Sequence, residues 1–368
     1  MNNYLEHYMI ELKTLAPVFI GSGEVIGKKE YLYDYFNKKV YVFRRQDLYR
    51  YIVEKKLSVQ YERYLLQENM DLYAWMKKQG LRRKDYEKQA FYQLDCSDAE
   101  FNKRTKEIHL FVKDAYGNPY IPGSSLKGAI RTALLGWKTI KNKQVQPIAK
   151  EIYAKSKVKN KSQLEENLDP RISQLEADIF HTVKRKNINK ENAICDELAG
   201  LRISDSRPLL VKNLTLCQKI DQNIEKKQKK MPLLRECLKP NTKVAFELTI
   251  DTSICQYKVE DILNAIDAVF EREQVHYRRL GYSLEETDHT LLLGGGSGFV
   301  SKTIEYDMFT ERNAVEVISN IMMVTHQKHG HDEDRSRMVS PHILKMTKYA
   351  GRDYHMGLCD INIKKADF

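Results

Sequence analysis

Pro122-Gly123-Ser124-Ser125-Leu126-Lys127-Gly128-Ala129-Ile130-Arg131 has the form of a helix N-terminus entered through glycine and capped by serine. Leu126, Ile130, Ala133, Leu134 and Trp137 recur at helical spacing and predict one buried face. The first amides of such a helix have no partner inside it, and with the helix dipole they favour an anion. Gly123 lets a phosphate come close to the backbone. Lys127 and Arg131, four positions apart, put two cations on one side. The pattern predicts a phosphate cradle formed by Gly123, Ser124, Ser125, Lys127 and Arg131. A capped core helix with solvated basic residues fits the same letters. A P-loop is excluded, because Gly128 is followed by Ala129-Ile130 rather than Lys-Ser/Thr. Ser124 and Lys127 form S-x-x-K, but no Ser-Asp-Asn or Lys-Thr-Gly partner accompanies them, which argues against a serine acyl enzyme.

Upstream of this helix, Tyr8, Ile10 and Leu12 alternate with Met9, Glu11 and Lys13 and predict a first strand. It runs through Pro17-Val18-Phe19-Ile20 and ends at Gly21-Ser22-Gly23-Glu24. A hairpin is expected from residues 30–35 and 40–43. Residues 47–106 read mostly as helix and form a helical insertion. Downstream, residues 138–161 hold eight lysines and one acid, Glu151. They predict a solvated, mobile stretch opening a second, basic helical insertion that extends to about residue 197. Strands return at 201–206 and 210–217, followed by a lysine-rich loop at 225–230. The clearest strand is Lys243–Asp251, with Val244, Phe246, Leu248 and Ile250 facing one way. An amphipathic helix carries Ile262, Leu263, Ile266, Val269, Phe270 and Tyr277. A further helix near 314–325, a polar loop through Arg337 and closing strands at 343–347 and 355–363 complete the chain. No repeat of solenoid length occurs. Strands mixed with helices, without regular βαβ alternation, predict an α+β fold.

With 42% hydrophobic residues, the 368-residue chain can bury a substantial core. Its net charge of +11 favours a polyanionic partner without choosing between RNA, DNA and an acidic protein. The six cysteines include no C-x-x-C pair, so a zinc ribbon is unsupported and reduced thiols are expected. No run of 18 apolar residues exists, and no basic segment leads into an apolar one at Met1-Asn2-Asn3 and beyond. A cytoplasmic chain with no membrane contact is the expectation.

A second glycine-rich segment is Leu293-Gly294-Gly295-Gly296-Ser297-Gly298-Phe299, with Lys302 beyond it. Such a loop presents successive amides that can surround a phosphate, although a flexible turn has the same composition. It lacks the G-x-G-x-x-G spacing of a dinucleotide site. Gly21-Ser22-Gly23, with Lys28 and Lys29 nearby, is a weaker third example.

Together these segments resemble the RAMP superfamily of CRISPR-associated proteins. Within it the likeness is to the subunit at the 3′-end side of the guide RNA in type III-A (Csm) effector complexes. The resemblance runs through Thr14-Leu15-Ala16-Pro17-Val18-Phe19-Ile20-Gly21-Ser22-Gly23-Glu24, then Ala115-Tyr116-Gly117-Asn118-Pro119-Tyr120-Ile121 and the segment quoted first, through Thr132. It continues in Ile203-Ser204-Asp205-Ser206-Arg207-Pro208, Leu234-Arg235-Glu236, Gly294 to Gly298 with Ser301-Lys302-Thr303, and Tyr354-His355-Met356-Gly357. The resemblance implies an RRM-like (ferredoxin-like) core built from about 1–46, 107–137 and 198–368. It implies guide RNA, target RNA and other backbone subunits as partners, and cellular nucleases recruited to trim the guide 3′ end. It also implies RNA contacts at Gly123, Ser124, Ser125, Lys127, Arg131, Arg207, Gly294 to Gly298 and Lys302. A guide must be held whatever its sequence, which calls for contacts to phosphate and sugar. Some of the 22 tyrosines could stack on unpaired bases, while most fit core or interface packing.

The resemblance implies a scaffold rather than an enzyme, and no cofactor or metal is expected. Related RAMP proteins can cleave RNA, so two alternatives stand: a ribonuclease of the same superfamily, and an assembly subunit with little RNA contact. Asp34 is the tempting carboxylate, but it reads as part of a hairpin strand and has no partner acid. His326, His329 and His331, followed by Asp332 and Asp334, have the composition of metal ligands. Their spacing is not H-E-x-x-H, and a solvated polar loop is expected there. His7 and His109 lie near strands without a second base.

Overall fold

The computed structural model describes residues 4–68, 70–96, 98–101, 107–142 and 145–366. Met1-Asn2-Asn3, the end of the first insertion at 102–106, and Lys143 lie outside the described residues. In chain order the strands are β1 (Leu5–Thr14), β2 (Gly21–Gly27), β3 (Tyr31–Asp34), β4 (Lys39–Val42), β5 (Tyr92–Asp95), β6 (Glu107–Phe111), β7 (Leu201–Ile203), β8 (Leu214–Gln222), β9 (Gln228–Leu238), β10 (Lys243–Asp251), β11 (Thr290–Leu292), β12 (Leu344–Tyr349), β13 (Arg352–His355) and β14 (Leu358–Lys365). Helices α1 (Arg45–Glu54), α2 (Ser58–Leu65), α3 (Leu72–Lys78) and α4 (Arg83–Glu87) lie between β4 and β5. Between β6 and β7 come α5 (Gly123–Lys141), α6 (Gln146–Lys155) and α7 (Lys161–Phe180). Helix α8 (Val259–Arg279) follows β10, and α9 (Glu305–Met308), α10 (Glu311–Thr325) and α11 (Asp334–Arg337) precede β12. The fold is mixed α+β.

One sheet has the order β11-β14-β1-β10-β7 and is antiparallel throughout. β1 and β10 pair without a shift from Leu5↔Asp251 to Lys13↔Lys243. Their alternation sorts the side chains: Ile10, Leu12, Val244, Phe246, Leu248 and Ile250 are buried, while Glu11, Lys243 and Glu247 are exposed. The buried face shares one core with Leu126 and Ile130 of α5 and Ile262, Ala265 and Ile266 of α8. The apolar stripe read at the start thus seats α5 on this sheet.

The other sheet has nine strands, ordered β2-β6-β9-β8-β5-β4-β3, with β12 on β8 and β13 on β12. Three local expectations change here. Gly21-Ser22-Gly23 opens β2 rather than ending β1, and its pairing with β6 shifts between Gly21 and Val25. The stretch read as helical up to 106 also holds β5, paired to β4 and β8. The lysine-rich segment enters β9, an eleven-residue strand whose first four positions are exposed or half-buried. Helices α1 to α4 cover a separate cluster that includes Leu32, Tyr41, Leu48, Ile52, Tyr64, Leu72 and Trp75. The basic stretch after 138 does not stand free in solvent. Ala149, Ile152, Leu164, Leu168, Leu175 and Phe180 of α6 and α7 are buried in the main core. All six cysteines are buried and unpaired, in line with reduced thiols. Among the described residues, no helix is long and apolar enough to cross a membrane.

Candidate nucleic-acid interface

Phe19, between β1 and β2, ties two glycine-rich segments together. Its carbonyl oxygen accepts the Gly295 amide at 2.7 Å. Gly294 sits at φ +84°, and a Cβ there would lie 2.3 Å from the same oxygen, so only glycine fits. The rest of the loop is pinned as well. The Leu293 amide donates to the Gly357 carbonyl at 2.7 Å, the Ser297 hydroxyl to the Gly294 carbonyl at 2.9 Å, and Tyr277 Oη to the Ser297 carbonyl at 3.2 Å. A free turn would lack these bonds. The amides of Gly294, Gly296 and Gly298 have no backbone acceptor among the described residues.

The third segment joins them. A cleft of about 360 Å³ is lined by Phe19, Ile20 and Gly21, by Ser125, Gly128, Ala129 and Thr132 of α5, and by Leu292 to Gly295, Ser297, Ser301 and Lys302. Positions 125, 128, 129 and 132 share one helix face. A Cβ at Gly128 would meet nothing within 4 Å, so this face is open.

Lys127 and Arg131 occupy another face of α5 and do not line the cleft. Lys127 Nζ donates to the Leu198 carbonyl at 2.6 Å. Its pKa is lowered, first by burial, with Arg131 among the further causes. Arg131 pairs with Asp196 at 2.6 Å and Glu176 at 3.0 Å and stands 4.5 Å over the Phe180 ring. Both cations therefore tie α5 to α7 and to the segment before β7. Gly123 also has an internal reason for its identity. Its amide donates to Asp205 Oδ1 at 2.9 Å, and a Cβ would lie 2.2 Å from the Ile203 carbonyl oxygen. A carboxylate of the chain thus caps the first turn. Ser124 is exposed beside it. Arg207 is exposed after β7, where its amide donates to the Ala245 carbonyl at 3.0 Å, and it is not part of the cleft lining.

The cations that do adjoin the glycine loop are Lys302 and Arg235. Lys302 lines the cleft, and its pKa is lowered by desolvation and by Arg235. Arg235 of β9 is half-buried, 5.4 Å over the Phe19 ring, with Nη1 2.9 Å from where a Cβ on Gly296 would be. Its Nε is buried without a hydrogen-bond partner among the described residues. Neither cation has an ion pair among the described residues. Strand alternation explains this. The adjacent Glu236 turns the other way and is taken by Lys113, Tyr92 Oη at 2.6 Å and the Phe111 amide at 2.9 Å. A half-buried arginine and an exposed lysine beside glycine amides attract a phosphate. Sequence reasoning left Arg235 out of the candidate site, although it lies in the quoted Leu234-Arg235-Glu236. The available signal was its place in that quoted segment.

The catalytic candidates have structural partners. Asp34 is buried in the β3–β4 turn, where it accepts the Phe36 amide at 2.9 Å, the Asn37 amide at 3.2 Å and Asn37 Nδ2 at 2.7 Å. His109 lies beside Arg235 in the β6–β9 register; burial and then that guanidinium lower its pKa. The histidine segment is not wholly solvated: His326 and His329 are exposed, but His331 and Asp334 are buried.

Comparison with known proteins agrees with this architecture. The chain is 27% identical over 395 residues to the CRISPR system Cms protein Csm5 of Mycobacterium tuberculosis (strain ATCC 25618 / H37Rv), covering 100% of both. It is 28% identical over 366 residues to the Csm5 protein of Streptococcus thermophilus, covering 95% of this chain and 90% of that protein. Its fold is similar to a chain in the cryo-EM structure of a type III-A Csm–crRNA–target RNA ternary complex, with TM-score 0.63 and 17% identity over 96% of this chain and 100% of the other. It is also similar to the crystal structure of T. onnurineus Csm5, with TM-score 0.59 and 19% identity over 95% and 99%. The RAMP superfamily profile matches residues 11–301. By that match, across most of its length, the chain belongs to the RAMP superfamily.

Proposed function

We propose that this protein is a non-catalytic, guide-RNA-binding subunit of a type III-A effector ribonucleoprotein. The observation that carries the reading is the meeting of three glycine-rich segments at one cleft, with Arg235 and Lys302 beside it and, among the described residues, without acidic partners. The ribose-phosphate chain would pass over the amides of Gly294 to Gly298 and the open face of α5 at Ser124, Ser125, Gly128 and Thr132. Arg235 and Lys302 would neutralise phosphates there. Such contacts hold any spacer sequence, as a guide carrier needs. Lys127 and Arg131 would support the site by holding α5 in place, with Gly123 allowing its close seat on β7. Arg207, exposed after β7, would meet RNA outside the cleft.

The antiparallel order β14-β1-β10-β7, with α5 and α8 on one face, supports an RRM-like, ferredoxin-like core. Likeness to a chain of a Csm–crRNA–target RNA complex supports contact with guide RNA, target RNA and other subunits. The sequence resemblance to the type III-A subunit at the 3′-end side of the guide supports that place and a part in guide maturation through recruited nucleases. Work in the cytoplasm follows from that role.

The test is guide-RNA binding by Arg235→Gln with Lys302→Gln, at several salt concentrations and with magnesium or chelator. The reading expects weaker binding by the variant and intact RNA throughout. Unchanged binding, or magnesium-dependent products from purified protein, would overturn it.

A further inference from the structure

Asp334 is fully buried, and among the described residues no lysine or arginine pairs with it. Its carboxylate instead faces two buried imidazoles. His331 Nδ1 lies 2.9 Å from Oδ2 and His342 Nδ1 2.5 Å from Oδ1, and Ser340 Oγ donates to Oδ2 at 2.6 Å. One donor atom from each of His331, Asp334 and His342 falls within 4.8 Å of the others. A buried carboxylate needs a compensating cation. Three donors face this one, but among the described residues no lysine or arginine balances its charge, a setting that suits a metal ion.

We propose that His331, Asp334 and His342 bind one divalent transition-metal ion of the zinc class. The donor set of two imidazoles and one carboxylate suits such an ion, whose bonds to nitrogen and oxygen are about 2.0–2.2 Å. Neighbouring ligand atoms around a tetrahedral ion stand about 3.4 Å apart at those bond lengths, so donors that now lie within 4.8 Å of one another would close by about 1 Å on loading, with loss of the imidazole Nδ1 protons. The frame is already fixed. Ser319 Oγ of α10 donates to the His331 carbonyl at 2.8 Å, and Tyr306 Oη of α9 donates to the Ser340 carbonyl at 2.7 Å. Nearby positive groups are committed elsewhere: Lys345 and Lys219 face Asp221 at 3.0 and 3.6 Å, Arg335 donates to Asn320, and Arg337 pairs with Glu333. The ion would staple the segment after α10 to the start of β12. His326 and His329 stand outside, with ring centroids 6.4 Å from that of His331, and form a separate exposed surface where metal could adhere weakly.

The full-length protein is stripped with chelator, then titrated with Zn²⁺ and, separately, Co²⁺. The expected result is one ion per chain, a thermal midpoint raised by a few degrees, and weaker binding as pH falls through the imidazole range. His342→Gln should lose the ion, and His326→Ala with His329→Ala should keep it. X-ray absorption of the zinc-loaded wild type, which needs no variant to fold, should give two imidazoles and a carboxylate. No stoichiometric uptake would overturn the proposal. Loss of uptake only in the His326/His329 variant, or a coordination shell without carboxylate, would assign the metal to the exposed histidines and overturn it equally.

Discussion

The Gly295 amide donates to the Phe19 carbonyl oxygen at 2.7 Å, joining segments that lie 276 residues apart in the chain. The same oxygen leaves no room for a side chain at position 294. This one junction sets how the loop before α9 faces the start of β2. Gly294→Ala, placed at positive φ and in collision with that oxygen, should destabilise the protein by about 2–4 kcal/mol. Equilibrium unfolding in denaturant checks this. A loss below 0.5 kcal/mol would mean the loop relaxes freely.

Arg235 and Lys302 should each act as a phosphate contact. Lys302→Gln should weaken binding of unrelated guide sequences to the same degree. It should also lower the slope of log affinity against log salt by about 0.7. Binding measured from low to moderate salt reads both effects, and a sequence-dependent loss would contradict a backbone contact.

Arg131→Ala removes two carboxylate partners and the stacking on Phe180. It should lower stability by about 1–3 kcal/mol. The affinity of the folded fraction for RNA should stay within a factor of about two, a change worth under 0.5 kcal/mol. Combined unfolding and binding measurements separate this support from direct RNA contact.

Asp307 is buried beneath α5, near enough that a Cβ on Gly136 would lie 2.5 Å from its Oδ2. Burial pushes its pKa up to about 8, against the opposing pull of Arg272. The folded state therefore holds a proton that the unfolded chain releases near pH 4. That contribution to stability is fully present below about pH 4 and is lost as pH rises through about 8. Asp307→Asn should flatten the fall in stability between about pH 4 and 8 and be more stable than wild type at the alkaline end. Thermal melts across that range provide the check, and an unchanged slope would place the titration elsewhere.

Much of this layout was legible in the residues. The alternation of β10 gave both of its ends, because Val244, Phe246, Leu248 and Ile250 make one apolar face and the other carries Lys243, Glu247 and Thr249. The stripe from Leu126 to Trp137 gave α5, and glycine clusters marked the three bends that meet at the cleft. What escaped was which way cations point. Lys127 and Arg131 look available until Asp196, 65 residues from Arg131, is folded against them. Arg235 looks neutralised by Glu236 until the strand sends them to opposite faces. β9 was hidden because its entry, Gln228-Lys229-Lys230, has the composition of a loop while the backbone pairs with β8. The buried His331–Asp334–His342 cluster was unreadable for a similar reason, since local polarity suggests solvent and only tertiary packing encloses it.

Photo-crosslinking of a guide RNA carrying reactive groups along its backbone, in the assembled particle, addresses the RNA site most directly. Adducts should concentrate on residues 19–23, on Ser124, Ser125, Gly128 and Thr132, on residues 294–302 and on Arg235. Adducts confined to other surfaces, with those segments unmodified, would contradict the RNA path proposed for this protein.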